Sequence, residues 1–324
     1  MHDATASPQT EEDPVSPPIL VAFSPEHADR APVHFAVAAS RFTGAPLVVV
    51  AVGPGAAAGD GLGDGEFAGD PGAAHEPLAS ELRSTGVDAT IRVVEHSSPA
   101  RGVFQVTDEI QPGLIVIGST HRGKLGRVLL GSTAERLMQG SPSPVVVVPH
   151  GHEQHQHGVR TVGAGFTPTP EGQEALRTAA LLARSAGARL EAIMVLDPEH
   201  AGEQSPGLLA GEHHERSACE DIAARHRLGA EDALRGAIAE VAADLDVEPD
   251  VLFQESADGL VAASERLDLL VLGSRAYGPV GAVTLGGVGR KVTAAASCPV
   301  LVLPRGTEGQ IDALVAGSEA HAAG

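Results

Sequence analysis

The stretch GSTHRGKLGRVLLGS, residues 118 to 132, predicts how this chain folds. It follows LIVI, residues 114 to 117, a short and largely β-branched run that is typical of a buried parallel strand. It ends in Ser132-Thr133-Ala134-Glu135, where a serine three residues before a glutamate matches the capping-box pattern of a helix start. A helix N-terminus approached by glycine backbone directs free N–H groups and the positive end of the helix dipole at one point. The stretch therefore predicts an anion-binding loop between a strand and a helix.

The same frame recurs in the second half of the chain. GSRAYGPVGAVTLGG, residues 273 to 287, follows another short apolar run and lies 155 residues after the first loop. Two further pairs lie 143 residues apart: Phe23 and Phe166 end the predicted first strands, and Leu47 and Leu190 open the predicted second strands. Self-similarity at such a spacing indicates a tandem duplication. Strands that alternate with helices predict a parallel sheet with right-handed crossovers in each copy.

Composition and turn residues divide the chain into five segments. The expected segments are 1–17, a disordered acidic tail; 18–149, a first α/β domain; 150–159, a His-rich linker; 160–304, a second α/β domain; and 305–324, a flexible tail. Residues 53 to 72 are so rich in glycine that they predict a flexible excursion. In the second domain, Thr169 is expected to cap a helix that begins at Pro170 and stops at Gly187.

The composition excludes several classes of function. The 22 Lys and Arg residues against 42 Asp and Glu give a formal charge of −20, and no basic patch could neutralise nucleic-acid phosphates. No apolar run approaches the ~18 residues of a membrane span. Cys219 and Cys298 are the only cysteines, they sit in unrelated contexts, and the polar N-terminus is unlike a secretory signal. We therefore expect a cytoplasmic protein without nucleic-acid or membrane partners.

Other groups that could carry chemistry have weaker patterns. Four histidines near the linker match no closed metal site, so we predict a solvated linker and no metal: His150, His152, His155 and His157. Gly118 with Gly123-Lys124 imitates a phosphate-binding P-loop, but Leu125 stands where magnesium binding needs Ser or Thr. Cys298 is expected to be a buried, inert thiol. With no nucleophile elbow and no paired metal-ligand motif, we predict that the chain is not an enzyme.

The repeated pattern resembles the universal stress protein family. A strand, a loop that begins with Gly-Ser, a helix and a closing Pro-Val-x-Val-x-Pro occur twice, from Pro18 to Pro149 and from Arg160 to Pro304. The loop ends in VLLGS in the first copy and in VTLGG in the second. The resemblance implies two Rossmann-like doubly wound α/β domains, each with a five-stranded parallel sheet, packed as an internal pseudo-dimer. The fifth strands, 145–148 and 300–303, are expected to make that contact, and their flanking prolines are interpreted as blunting a sheet edge.

The family's nucleotide-binding members hold ATP at the ends of strands one and four. Their phosphate motif is Gly, two residues, Gly, nine residues, then Gly followed by Ser or Thr. The resemblance predicts cofactor-binding residues in both copies: Ser24, Gly118, Ser119, Gly123, Gly131, Ser132 and Thr133 in the first, and Thr167, Gly273, Ser274, Gly286 and Gly287 in the second.

Both copies depart from that motif. His121 and Ala276 replace its second glycine, and Gly287 replaces the hydroxyl residue in the second copy. Ser24 and Thr167 stand where nucleotide binders of the family carry an Asp that contacts the nucleoside.

Three functions remain open on the sequence. The prediction is a non-enzymatic stress-response module that binds ATP or another adenine nucleotide in the first copy, with Mg²⁺ if ATP binds. The substitutions at His121 and Ser24 favour a second function, a member without nucleotide binding that acts through a protein partner. The third is a slow ATP hydrolase, which would need a base or metal ligand near Ser132 that the sequence does not show. A homodimer in addition to the internal domain pairing is also left open.

Overall fold

A computed structural model describes most of the chain as alternating strands and helices. The described residues are 16–23, 29–54, 71–122, 128–129, 132–153, 158–197, 215–274, 285–305 and 309–322. The first copy contains β1 (Ile19–Phe23), α1 (Ala31–Thr43), β2 (Leu47–Pro54), α2 (Pro71–Thr85), β3 (Ala89–His96), α3 (Pro99–Ile110), β4 (Leu114–Gly118), β5 (Thr120–Arg122), β6 (Val128–Leu129), α4 (Ser132–Met138) and β7 (Val145–Val148). The second contains β8 (Thr161–Gly165), α5 (Pro170–Ala186), β9 (Arg189–Leu196), α6 (Glu215–Val241), β10 (Val247–Phe253), α7 (Ser256–Ala263), β11 (Leu269–Leu272), α8 (Gly287–Ala295), β12 (Val300–Val302) and α9 (Gln310–Ala322).

Ten of the strands form one continuous sheet. Its order is β10-β9-β8-β11-β12-β7-β4-β1-β2-β3, so each copy contributes five neighbouring strands. Pairing is parallel within each copy and antiparallel at the junction, where Leu301 of β12 pairs with Val146 of β7. The predicted pair of doubly wound five-stranded sheets, joined through the fifth strands as an internal pseudo-dimer, is confirmed.

The proline interpretation is wrong, because β7 and β12 lie at the centre of the sheet. Their valines and leucine are at most 1 % exposed. The flanking prolines do not interrupt the ladder, since they lie outside the paired residues and act as acceptors. The carbonyl oxygen of Pro144 accepts the N–H of Ile115, and that of Pro299 accepts the N–H of Leu270, each at 2.9 Å. Proline lacks a donor but keeps its acceptor, which is all these positions need.

The first helix of the second copy forms as the sequence predicts. The Thr169 hydroxyl accepts the Gly172 N–H at 3.2 Å, and Pro170 occupies the first turn. Gly187 adopts φ 63°, the left-handed conformation that terminates a helix at little cost for glycine. Helices such as α1 and α5 cover one face of the sheet, and α3, α4, α7 and α8 cover the other. The apolar strands are therefore buried on both sides, as in other doubly wound folds.

The segment 305–324 differs from the expected flexible tail, because Gln310–Ala322 forms helix α9. Ile311 and Leu314 are buried against α1 and α5, over the junction of the two copies. The Arg177 guanidinium donates to both carboxylate oxygens of Asp312, at 2.7 and 3.0 Å. Apolar residues three and four positions apart are the sequence pattern of this helix. The small alanine and glycine residues around them make that pattern hard to recognise.

Two other predicted segments lie partly outside the described residues. Residues 55–70 of the glycine-rich excursion and 154–157 of the linker belong to this group. Gly53 and Pro54 are the last residues of β2, whereas Pro71 is the first residue of α2. The domain limits themselves remain predictions.

Leu314→Ala tests whether α9 is an integral part of the fold. We expect the free energy of unfolding to fall by about 2–5 kcal/mol, because the truncation leaves a cavity over the domain junction. Urea denaturation measures it, with Ala316→Ser on the exposed side of the same helix as control, where a change within about 0.5 kcal/mol is expected. Equal effects of the two substitutions would contradict the docking of α9.

Asp312→Asn tests the ion pair that ties α9 to α5. Hydrogen bonds from Arg177 hold the pKa of the Asp312 carboxylate below its ordinary value. A lowered folded-state pKa stabilises the protein above the unfolded value of about 3.9, and this contribution disappears as the pH falls through the folded-state pKa.

Because Asp312 is half-exposed, we expect the substitution to cost about 0.5–1 kcal/mol at neutral pH and nothing in strong acid. Urea denaturation across pH measures the difference. Glu240→Gln, at an exposed carboxylate of α6, serves as the control. A difference that does not depend on pH would refute the ion-pair explanation.

Candidate functional site

Each copy has a switch point where the chain leaves neighbouring strands in opposite directions. In the first copy β1 lies between β2 and β4, and in the second copy β8 lies between β9 and β11. Ligands of open α/β sheets bind in the crevice at the carboxyl ends of such strands. The crevices lie beyond Phe23 and Gly118 in the first copy, and beyond Gly165 and Leu272 in the second.

In the first crevice the hydroxyl nearest the strand end is already engaged. Gly118 ends β4, and a Cβ there would lie 2.9 Å from the Pro32 ring, so the first turn of α1 rests on this glycine. Ser119 is 5 % exposed, and its Oγ accepts the backbone N–H of His150 at 2.8 Å. This bond fixes the chain where it leaves β7.

A carboxylate lies beside this hydroxyl. Asp29 accepts the Ala31 N–H at 3.0 Å, which caps the start of α1, and the Gly151 N–H at 3.3 Å. Its other close partner is the Nδ1 atom of His150, at 2.9 Å. The negative charge of Asp29 opposes binding of a phosphate near Ser119.

Arg30 lies at the end of β1, next to Asp29. Its guanidinium carbon stands 4.8 Å from the centre of the Phe23 ring, and its Nε lies 3.5 Å from the Glu81 carboxylate. The Nη1 atom is buried and has no hydrogen-bond partner. Its N–H groups could donate to a ligand, although Glu81 already offsets the charge of this arginine.

The predicted loop of the first copy contains a hairpin. Thr120 pairs with Leu129 and Arg122 with Val128 in an antiparallel pair, which places His121 inside β5. The β6 strand lies against α8, the loop helix of the second copy. Ser132 and Thr133 are the first two residues of α4, whereas Ser24, Gly123 and Gly131 lie outside the described residues.

The second crevice presents a buried hydroxyl that has no partner among the described residues. Gly273 follows β11, and a Cβ there would lie 2.4 Å from the Glu171 carbonyl oxygen, so only glycine allows α5 to approach so closely. Ser274 is 8 % exposed, and its Oγ makes no hydrogen bond to any residue that the structure describes. It occupies the position of Ser119 in the other copy, 155 residues later, but lacks the backbone donor that Ser119 has.

Helix α8 begins with uncapped glycines. Gly286 is the cap residue before the first helical residue, Gly287, and as a glycine it has no side chain to cap the helix. The first turn of α8 contains no acidic residue, and Arg290 and Lys291 lie within its first two turns. Lys291 lies 3.3 Å from the Glu255 carboxylate. In contrast, α4 of the first copy carries Glu135 in its first turn.

Thr167 follows the end of β8, where the resemblance places a nucleoside contact. It is exposed, and its Oγ1 lies 3.1 Å from Oγ1 of Thr169, the cap of α5. The structure thus brings Thr167, Gly273 and Ser274 to one end of the sheet, as predicted for the second copy. Sequence reasoning missed Asp29 and Arg30, although an aspartate just before a helix is a recognisable capping signal.

Other reactive groups show no organised site. Burial raises the pKa of the Cys298 thiol to about 12, so this cysteine is protonated at neutral pH. Among the described residues, no three His, Cys, Asp or Glu side chains are arranged to hold a metal ion. Within the same part of the chain, no helix is both long and apolar enough to cross a membrane.

Comparison with known proteins agrees with the fold and the duplication. The sequence profile of the universal stress protein family matches residues 17–149 and 158–304. A universal stress protein of Mycobacterium tuberculosis (strain H37Rv) is 28 % identical over 233 residues, which cover 68 % of this chain and 73 % of the relative.

Solved structures extend the comparison. A universal stress protein from Archaeoglobus fulgidus superposes with a TM-score of 0.62 at 18 % identity, covering 90 % of this chain and 99 % of that chain. A universal stress protein from the same organism, solved in complex with dAMP, is 25 % identical and covers 41 % of this chain and 98 % of that chain, with a TM-score of 0.32. Two profile matches that together span most of the sequence place this chain in the universal stress protein family.

Proposed function

We propose that this chain is a non-enzymatic stress-response module that binds an adenine nucleotide at the switch point of its second copy. The phosphates would lie between Ser274 and the N-terminus of α8. The buried Oγ of Ser274, which finds no hydrogen-bond partner in the described part of the chain, carries this proposal. The sequence prediction favoured the first copy, and the contacts of the two equivalent serines reverse that preference.

The hydroxyl of Ser274 needs a partner that the described residues do not supply. Leaving a buried hydroxyl without a hydrogen bond costs about 1–3 kcal/mol, and a ligand oxygen at this place removes that cost. Ser119 carries no such cost, because the His150 N–H already satisfies it. The Ser119 hydroxyl keeps a proton to donate, but the bond from His150 already holds its oxygen in place.

Local charge also favours the second copy for an anion. The cap residue of α8 is a glycine, which leaves the first N–H groups without a cap from its side chain, and the helix dipole adds positive potential there. Arg290 adds a positive charge, and Lys291 offsets Glu255. In the first copy, Asp29 and Glu135 place carboxylates at the corresponding end of the sheet.

We take the class of ligand from the family resemblance, because nucleotide-binding members of the family hold ATP at the ends of strands one and four. Exposed Thr167 would meet the nucleoside at the end of β8. Mg²⁺ would arrive with the phosphates of ATP, since no protein metal site is formed by the described residues. Ser274 makes no hydrogen bond to a base that would activate it, so binding without hydrolysis is proposed.

Calorimetric titration with ATP and Mg²⁺ tests the site, using Ser274→Ala and Ser119→Ala as a matched pair. We expect saturable binding of one nucleotide per chain. Loss of a hydroxyl that bonds a charged phosphate weakens binding by about tenfold in Ser274→Ala, because such bonds contribute about 1.5–3 kcal/mol. Ser119→Ala should bind as the unmodified protein does.

The other outcomes of the titration separate the alternatives. Weakening by Ser119→Ala alone would move the site to the first copy. No binding at millimolar ATP would favour the member that acts through a protein partner. Phosphate release in the same samples, lost in Ser274→Ala, would instead indicate the slow hydrolase.

A further inference from the structure

We propose that a cavity beside the first helix of the first copy binds an amphipathic carboxylate, with an apolar body inside and its carboxylate on Arg41. The cavity has a volume of about 640 Å³ and lies between α1, α2, the C-terminal end of α5 and the chain just before β8. Small-molecule sites typically enclose roughly 300–1,000 Å³. It is separate from both switch points, so this inference does not depend on the nucleotide proposal.

The walls of the cavity are apolar. Val33 and Val37 of α1, Leu82 of α2 and Val159 before β8 line it, and each is almost completely buried. The apolar area that a ligand body can still cover lies on Phe42 and Ala186, which line the cavity and are only partly buried, and covering it gains free energy in proportion to the area removed from water. The polar side chains lie at the rim.

Arg41 supplies the charge at that rim. It lines the cavity, it is exposed, and its acceptor among the described residues is the carbonyl oxygen of Thr85, 3.1 Å from Nη2. The remaining N–H groups of the guanidinium are available to a ligand. A planar guanidinium matches a carboxylate through two parallel hydrogen bonds.

The equivalent arginine of the second copy has a carboxylate partner, which Arg41 does not have among the described residues. Arg184 stands 143 residues after Arg41, at the same position of the first helix, and it likewise bonds a backbone carbonyl, that of Val241, at 2.8 Å. Arg184 also holds the Asp244 carboxylate through Nε at 2.7 Å and through Nη2. Asp244 lies three residues before β10, and the corresponding position before β3 is Gly86. The first copy therefore keeps the arginine and replaces its carboxylate with a glycine beside an open cavity.

The one acidic side chain that lines the cavity does not cancel Arg41. Glu81 lies 2.9 Å from Nε2 of His34 and 3.5 Å from Nε of Arg30, so it has partners of its own and Arg30 offsets its charge. The Arg41 guanidinium then supplies the positive charge that complements an anion. Because the polar contact is a single guanidinium and the walls are hydrocarbon, a carboxylate with an apolar body fits better than a phosphate with a polar one.

Calorimetric titration of the full chain with decanoate, below the concentration at which it forms micelles, tests the proposal. We expect one saturable site per chain, and weaker binding of decanol, which has the same chain length without the charge. Arg41→Gln should weaken decanoate binding by about tenfold and leave decanol binding unchanged. Arg184→Gln is the matched control and should bind decanoate like the unmodified protein.

A second variant tests the location of the apolar body. Ala38 lines the cavity, and Ala38→Leu places additional carbon atoms in its space, so decanoate binding should be lost. Ser274→Ala should have no effect, which keeps this site distinct from the proposed nucleotide site. Absence of saturable binding, or equal weakening by Arg41→Gln and Arg184→Gln, would overturn the proposal.

Discussion

The antiparallel pairing of β7 with β12 is the interaction on which the rest of the structure depends. Each copy alone would end in a fifth strand with one unpaired edge, and exposed edges of this kind promote uncontrolled association. The register of Val146 against Leu301 closes both edges at once and converts two five-stranded sheets into one of ten strands. The same pairing places the crevices of the two copies at opposite ends of the sheet, because the strands of the copies run in opposite directions.

The backbones of the two copies are related by an internal symmetry, but the helix that packs over their junction is not part of it. Phe42 and Ser185 occupy equivalent positions of the two first helices, and the Ser185 hydroxyl donates to the Phe42 carbonyl oxygen across the junction at 2.5 Å. Helix α9 then packs against both α1 and α5 and fills the groove over the junction with Ile311 and Leu314. It follows the second copy, so its contacts break the internal symmetry.

Equivalent residues have acquired different partners in the two copies. Among the described residues, Ser119 accepts a backbone N–H where Ser274 has no partner, and Arg184 holds a carboxylate where Arg41 meets only a carbonyl oxygen. The two members of each pair occupy equivalent positions of the same fold, so they differ only in their local surroundings. In both pairs the ligand is proposed for the copy whose residue lacks that internal partner.

The sequence alone determined the family, the duplication and the element types. These features depend on short-range patterns such as the apolar run before Gly118, the Thr169 cap and the Gly187 stop, and nearby residues produce them directly. Only the tertiary structure decided which hydroxyls and guanidinium groups remain available, because their partners are distant in sequence. His150 reaches Ser119 from 31 residues away, and Arg184 reaches Asp244 across 60 residues. Tertiary packing also gave α9 its place, since a short alanine-rich helix gains its stability from the surface it covers.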